Sequence, residues 1–465
     1  MICAGNEMEI KDGRAMKELR FFVITDTHFF KNALGAYGKE YEEFMDYEQK
    51  CFAETEAINR AVFQYLAESD EADIVLIAGD LSFDGEKESH KSFSQLLRDF
   101  QQKSGKRVYV VTAGHDVNCR THAYTDAGVY TPEGTDFSNL YDLYREFGYD
   151  SALVFDREHL SYVADLSEDV RLLVLCNDTA DTPHGAYSDA FLQWIEAQAK
   201  QAQADGKMMV AMEHYPVLAG QPLFALIGDS RQENSEALIR TLADNGVQLM
   251  FTGHMHNQSI NAVRTERGNL FYDVCTGSVI GHPSFIRLVR VQDKKTVEIR
   301  SIPTPAFAWD TKGLSCEAYM KAQFDRMIRT YLSSMENDTE RFLGRLRIKS
   351  TPGTVHFFRF AGRKLANMTI GQVARLLFVK ADASIRSDSF TEFSIRLVRS
   401  VFEGNQPFVE GTPYGDLLLR VFRRVRPFIK KIRGTQGETL DFYETMKHTV
   451  GNYGIDDYNA VLHFD

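Results

Sequence analysis

From residue 19 to about residue 302, apolar runs of strand length alternate with stretches whose apolar positions recur at helical spacing. The runs Leu19 to Thr25, Ile74 to Ala78, Val108 to Thr112, Leu172 to Cys176, Met208 to Met212 and Leu249 to Thr252 predict strands. Between them, Asp46 to Leu66, Glu86 to Phe100, Asp189 to Gln203 and Ser235 to Asn245 predict crossover helices. Strands alternating with amphipathic helices imply an α/β domain with a layered sheet core. Later the connections shorten, and Leu270 to Cys275, Ser284 to Val291 and Val297 to Ile302 predict neighbouring antiparallel strands, so the sheet is expected to be mixed. Near residue 305 the texture changes. Pro303, Pro305 and Gly313 punctuate the chain, and Ala318 to Met335, Thr354 to Phe378, Phe393 to Phe402 and Tyr414 to Ile432 then carry helical spacing. The expected organisation is an extension over 1–18, a main domain over 19–305 and a mostly helical C-terminal domain or cap over 306–465.

Composition agrees with a large globular protein: 465 residues, of which 44% are hydrophobic. No apolar run reaches the length of a membrane span, and Met1 to Lys17 are polar and mixed in charge, which points to a soluble, cytoplasmic protein. Residues 1–18 are open to two readings, a disordered extension or a misassigned start. Six scattered cysteines, Cys3, Cys51, Cys119, Cys176, Cys275 and Cys316, lack metal or disulfide-scaffold spacing and read as reduced and structural. The net charge of -12 is uneven: residues 311–465 hold about 24 Lys and Arg against about 17 Asp and Glu, leaving the front of the chain near -19. An acidic front half gives no strong nucleic-acid signal, because phosphate backbones are held mainly by Lys and Arg.

The chemistry-bearing residues fall at the ends of the predicted strands, where open α/β sheets place ligands. Asp26-Thr27-His28 follows the first strand, Gly79-Asp80 the second, and Ala113-Gly114-His115-Asp116 the third. Glu213-His214-Tyr215-Pro216 and Gly253-His254-Met255-His256 come later. Strand alternation would turn Asp26 and His28 to one face, and likewise His254 and His256. Mixed carboxylate and imidazole ligands suit Mn, Fe or Zn better than Mg or Ca.

In this order the clusters resemble the calcineurin-like metallophosphoesterases, whose signature runs D-x-H, GD, GNH-[DE], a lone His, then paired histidines after a glycine. The resemblance implies an α/β (α+β sandwich) fold of two mixed sheets flanked by helices in four layers. It also implies two divalent transition metal ions (Mn, Fe or Zn, with Ni usable in vitro). Asp26, His28 and His256 would bind the first ion, His214 and His254 the second, and Asp80 would bridge them. His115 would act beside the metals on the transition state or the leaving group, with Asp116 orienting its imidazole. The implied activity is hydrolysis of phosphate mono- or diesters by a metal-activated water, on a phosphorylated small-molecule or nucleotide substrate. The departure is Gly114, where the family carries an asparagine ligand to the second metal. Water, a reach-back by Asn118, or a weakened second site are the three outcomes left open, and the weakened site is favoured. The alternative function is a metal-binding scaffold or partner-binding protein that keeps the fold without turnover.

Other residues carry blander readings. His122, His184 and His282 have no motif support and read as loop structure, with a place in the cleft left open. Asp84 reads equally as a loop-holding or a solvated acid, and Ser278 as a remote candidate for substrate contact. The basic and apolar stretch Leu417 to Arg426 could support peripheral membrane contact through the C-terminal helices, but a core-facing helix with a solvated basic face is favoured.

Overall fold

The computed structural model describes residues 16–117, 120–178, 185–226, 228, 230–345, 348–451 and 454–464. Residues 1–15 of the extension, with Cys3, and also Asn118, Cys119 and His184, lie outside the described residues. The strands are β1 (Leu19–Ile24), β2 (Ile74–Ala78), β3 (Arg107–Val111), a hairpin of β4 (Ala123–Thr125) and β5 (Gly128–Tyr130), β6 (Val154–Asp156), β7 (Ser161–Asp165) and β8 (Val170–Val174). They continue with β9 (Met208–Met212), β10 (Leu249–Thr252), β11 (Ser259–Arg264), β12 (Leu270–Cys275), β13 (Phe285–Asp293), β14 (Thr296–Pro303), a hairpin of β15 (Lys431–Arg433) and β16 (Thr439–Asp441), and β17 (Asn459–His463).

Two mixed sheets form the body. The first runs β17-β14-β13-β1-β2-β3, and the second β11-β12-β10-β9-β8-β7-β6. Within the first, β1, β2 and β3 are parallel, whereas β13 is antiparallel to β1. Alternation along the second sheet builds two cores at once. Leu172, Val174, Val210, Met212, Leu249 and Phe251 face the first sheet, where the Phe21 and Phe251 rings meet edge to face at 5.5 Å. Leu173, Met209, Ala211 and Met250 face outward onto Phe191, Ile195, Leu238 and Leu242 of the helices Asp189–Ala204 and Ser235–Ala243. Helices Thr55–Glu68 and Lys87–Ser104 cover the other side of the first sheet. The order helices, sheet, sheet, helices is the four-layer sandwich expected from the sequence.

The elements differ from expectation where tertiary contacts override local pattern. The helix expected from Asp46 starts only at Thr55, because the residues before it are drawn onto another loop: Lys50 bridges Gly281 and the Cys51 N–H donates to Ile280 O at 2.9 Å. The single helix expected over Thr354 to Phe378 is two, Pro352–Leu365 and Ile370–Leu376. Thr369 and Gln372 close a reciprocal capping box that starts the second. The helix expected to reach Ile432 stops at Val425, ahead of Pro427, and Lys431–Arg433 pairs instead as β15.

Helices dominate from Cys316 to Val450 and hold a core of their own around Ile370, Phe393, Leu418, Phe422 and Tyr443. Leu417, Leu418, Leu419 and Phe422 are buried in or against it, so the apolar stripe of the basic helix packs on protein. Past 305 the chain also returns to the main body: β17 pairs antiparallel with β14, and Arg287, fully buried, donates to Asp457 O at 2.6 Å, Cys275 O at 2.9 Å and Ser301 Oγ at 2.7 Å. Cys51, Cys176, Cys275 and Cys316 carry free thiols. No helix among the described residues is long and apolar enough to cross a membrane.

Candidate metal centre

The ends of β1, β2, β9 and β10 converge, and the loops that follow them are laced together by their backbones. The Asp26 N–H donates to Gly79 O at 3.1 Å, His28 N–H to Asp80 O at 2.9 Å, and Gly253 N–H to His214 O at 2.8 Å. Asp26, His28, Asp80, His254 and His256 all take left-handed backbone angles, with φ of 51°, 34°, 51°, 66° and 49°. Non-glycine residues adopt this region at a cost of about 1–2 kcal/mol each, and such strain persists where surrounding structure imposes it. The common direction of Asp26 with His28, and of His254 with His256, therefore comes from tight turns beyond the strands rather than from the strand alternation expected of them.

These turns bring the ligand atoms into two groups, Asp26, His28 and His256 in one and Asp80, His214 and His254 in the other, each with its ligand atoms within 4.8 Å of one another. Asp80 Oδ2 lies between them, 3.6 Å from His28 Nε2 and 3.0 Å from His214 Nε2. His256 Nε2 is 3.1 Å from Asp26 Oδ1 and 3.2 Å from His28 Nε2. Asp26 Oδ2 is occupied by the Thr25 hydroxyl at 2.7 Å and the His254 N–H at 3.0 Å, which leaves Oδ1 buried with no hydrogen bond. His214 Nδ1 is engaged with Ala78 O at 2.7 Å, which directs Nε2 inward, and that buried atom also makes no hydrogen bond despite the nearby Asp80 carboxylate. Buried polar atoms rarely stay unpaired, and a backbone-anchored imidazole with its other nitrogen free is how proteins orient a metal-binding histidine. The residues fit two ions.

Electrostatics agree. Burial pushes the His28 imidazole down to about 3, keeping it a neutral donor. Burial also opposes charging of His214, but Asp80 and Asp26 raise it to about 10, so a proton and a cation compete for the same Nε2. Gly79 is required by geometry as well as by φ of 89°: a Cβ there would lie 2.5 Å from His214 Nδ1.

His115 stands at the edge of this centre with its side chain 39% exposed, enough to meet a substrate. Its N–H donates to Asp80 Oδ1 at 3.2 Å, and its Nδ1 lies 2.7 Å from both Phe83 O and Asp84 Oδ1. Asp84, not Asp116, holds the imidazole. Asp116 was expected to do so, but its carboxylate is buried beneath the turn, accepting from the Ser82 N–H at 2.8 Å and the Ala113 N–H at 2.9 Å, and so fixes the loop. Asp84 Oδ2 also reaches His122 Nδ1 at 3.0 Å, and His122 packs among Phe44, Phe52, Phe83 and Tyr124. His282 pairs with Glu403 at 2.7 Å, tying the metal-side loop to the C-terminal helices. Ser278 is fully buried and donates to Asp26 O at 2.7 Å, which makes it a brace for the ligand loop rather than a substrate contact.

At the departure from the signature, the Gly114 N–H donates to the Tyr215 hydroxyl at 3.2 Å, and a Cβ at 114 would come 2.8 Å from that oxygen. Tyr215 is 1% exposed, and its ring lies 4.9 Å from that of His214 and 4.7 Å from that of His254. The space an asparagine side chain would need is thus bounded by a tyrosine hydroxyl.

A cleft of about 340 Å³ opens over both groups, lined by Lys50, Asp80, His115, His254, His256 and Phe402 among others. Phe402 comes from the C-terminal helix Phe390–Glu403 and is fixed by its carbonyl, which accepts from Gln258 N–H at 2.9 Å. Lys50 and Phe402 were missed by the sequence reading. Neither lies in a motif, and both depend on distant segments folding onto the site.

The sequence profile of the family described as calcineurin-like phosphoesterase matches residues 19–258. No curated protein matches the chain. Among solved structures, a dimetal phosphatase from Danio rerio is similar at 12% identity over 62% of this chain and 96% of that one, with a TM-score of 0.45. A purple acid phosphatase from yellow lupin (Lupinus luteus) seeds is similar at 13% identity over 63% of this chain and 52% of that one, with a TM-score of 0.41. A putative 5'-nucleotidase from Staphylococcus aureus is similar at 12% identity over 66% of this chain and 58% of that one, with a TM-score of 0.38.

Proposed function

The chain belongs to the calcineurin-like phosphoesterases, and on that premise we propose that it hydrolyses phosphate esters with a metal-activated water at a dinuclear centre. The observation that carries this reading is the pair of ligand groups whose buried Asp26 Oδ1 and His214 Nε2 lack hydrogen-bond partners while Asp80 Oδ2 stands between them. Asp26, His28 and His256 would hold one ion and His214 and His254 the other, with Asp80 shared between the two groups. The ions, Mn, Fe or Zn by the chemistry of the donor set, supply Lewis acidity and an acidified water when bound. His115, held through Nδ1 by Phe83 O and Asp84, keeps Nε2 for the oxygen that departs from phosphorus. Asp116 and Ser278 keep the loops in place.

One observation supports a second reading. With Gly114 in place of a side-chain ligand and the Tyr215 hydroxyl beside it, the second group offers three side-chain ligands, Asp80, His214 and His254, a set that would suit a weakly active or purely metal-binding protein. The test is hydrolysis of para-nitrophenyl phosphate and its bis-ester by metal-stripped protein after separate addition of Mn, Ni, Zn, Fe or Mg, with Asp80→Ala as control. Metal-dependent turnover that disappears in Asp80→Ala is the expected result. Tight metal binding without turnover on either ester would replace the hydrolase with the metal-binding reading.

A further inference from the structure

Lys50 is the only lysine or arginine among the described residues that line the cleft. Local periodicity would place it in a helix. Instead its backbone is pinned on both sides to the loop after β12: Lys50 bridges Gly281, Cys51 N–H donates to Ile280 O at 2.9 Å, and Gln49 Nε2 donates to His282 O at 2.9 Å. The side chain then crosses the Phe83 ring, with Nζ 4.3 Å from its centroid. Phe83 also packs against His28, with ring centroids 5.8 Å apart, and its carbonyl engages His115. Lys50 thus rests on the residue that backs one ligand of the metal centre and positions the imidazole beside it.

Lys50 is only 8% exposed, and no carboxylate among the described residues is paired with its ammonium. Burying an uncompensated charge is costly, and an aromatic face offsets only about 2 kcal/mol of that even when dry. Burial opposes the charge, and Glu48 and Asp84 favour it. A charged, unpaired ammonium on the wall of an anion-hydrolysing cleft is a feature that packing alone does not require.

We infer that Lys50 binds a terminal phosphoryl oxygen of the substrate and thereby selects phosphate monoesters over diesters, an inference that rests on the hydrolase reading above. A monoester presents three terminal oxygens and, near neutral pH, two negative charges. A diester presents two such oxygens and one charge. An additional point cation beside the metal groups therefore favours the species with one more oxygen and one more charge to satisfy. Phe402 walls the same cleft with an apolar ring, a surface suited to the single organic group of a monoester.

The experiment compares wild type with Lys50→Met, which keeps the length of the side chain and removes its charge, and with Lys50→Arg, which keeps the charge. Three quantities are read on metal-loaded protein: kcat/KM for para-nitrophenyl phosphate and for its bis-ester, affinity for inorganic phosphate by calorimetry, and bound metal by mass spectrometry. Lys50→Met is expected to lower monoester kcat/KM and phosphate affinity by about ten- to hundredfold, to change the diester less than about threefold, and to keep the wild-type metal content. Lys50→Arg should recover part of both losses. Equal losses on the two esters, or no loss on either at full metal content, would overturn the assignment. If the wild type turns over neither ester, the hydrolase reading fails by itself. Calorimetry then decides Lys50 separately, since phosphate binding that is lost in Lys50→Met upholds its role as an anion ligand, and binding that is unchanged or absent removes it.

Discussion

The contact between Gly114 and Tyr215 makes a quantitative prediction through a double-mutant cycle. In Gly114→Ala the new Cβ would sit 2.8 Å from the Tyr215 hydroxyl, well inside van der Waals contact. That hydroxyl cannot swing aside freely, because its ring is 1% exposed and wedged against the imidazoles of His214 and His254. Overpacking of this kind costs about 1–3 kcal/mol, and disturbing the Gly114 N–H bond to the hydroxyl adds about 1 kcal/mol. Tyr215→Phe removes that bond, at about 1 kcal/mol. In the double variant the methyl enters the volume the oxygen has left, so the overpacking penalty disappears and the bond is lost once rather than twice; the pair should be less destabilised than the sum of the singles by about 2–4 kcal/mol. Urea unfolding of the four proteins in chelator gives the coupling free of metal effects. Metal titration of the same proteins should show Gly114→Ala losing the second ion first, since the displaced ring presses on His254. Gly114→Asn in the Tyr215→Phe background should bind that ion more tightly than Tyr215→Phe. Additivity within about 0.5 kcal/mol would refute the reasoning, because it would mean that the two sites do not share this space.

Gly79→Ala should cost about 1–2 kcal/mol for its left-handed backbone and should also reduce bound metal, because the Cβ displaces the His214 ring; full metal content by mass spectrometry would contradict this. Arg287→Met should destabilise the protein by about 3–5 kcal/mol in urea, since it leaves Cys275 O, Asp457 O and Ser301 without their buried donor; a loss below about 1 kcal/mol would show that the network is not a structural tie. Burial, then the Asp84 charge, raises the carboxyl of Glu86 to about 7 from an ordinary 4.5. The folded state therefore binds the proton more tightly than the unfolded chain, and the stability that this contributes is complete below pH 4.5 and lost as the pH rises through 7. Glu86→Gln should flatten that part of the stability profile, and an unchanged slope between pH 5 and 7 in chemical unfolding would exclude Glu86 as its source.

Most of the main domain is legible in the sequence because its strands are continuous apolar runs and its ligands cluster where those runs end. The candidate metal ligands, among them Asp26, Asp80, His214 and His254, follow from residue types in order, with no knowledge of their backbone. What local pattern cannot carry is long-range. Lys50 lies in a stretch that reads as helix until the loop at Ile280–His282 captures it. Asp116 stands beside His115 in the chain and so invites pairing, yet its carboxylate closes its own turn and leaves Asp84, from the preceding loop, to meet the imidazole. The split at Thr369 was available from its capping residues but is masked by apolar spacing that continues across it. Asn459–His463 is short, and only its pairing with β14 makes it a strand.

That returning strand changes how the helical region can behave. Because β14 leads into the helices and β17 leads out of them on the adjacent edge of one sheet, the region is fastened at both ends, with Arg287 clasping the exit. It is an insertion in topology, joined to the body through two neighbouring strands rather than through one linker. During synthesis the first sheet must wait with its edge at β14 unpaired until residues 459–463 have been made, so the helices form against a body that is not yet closed. Removing residues 306–465 would strip an edge from the sheet along with the Phe402 wall of the cleft, whereas excising the helices and joining β14 to β17 by a short linker would remove that wall and keep the edge.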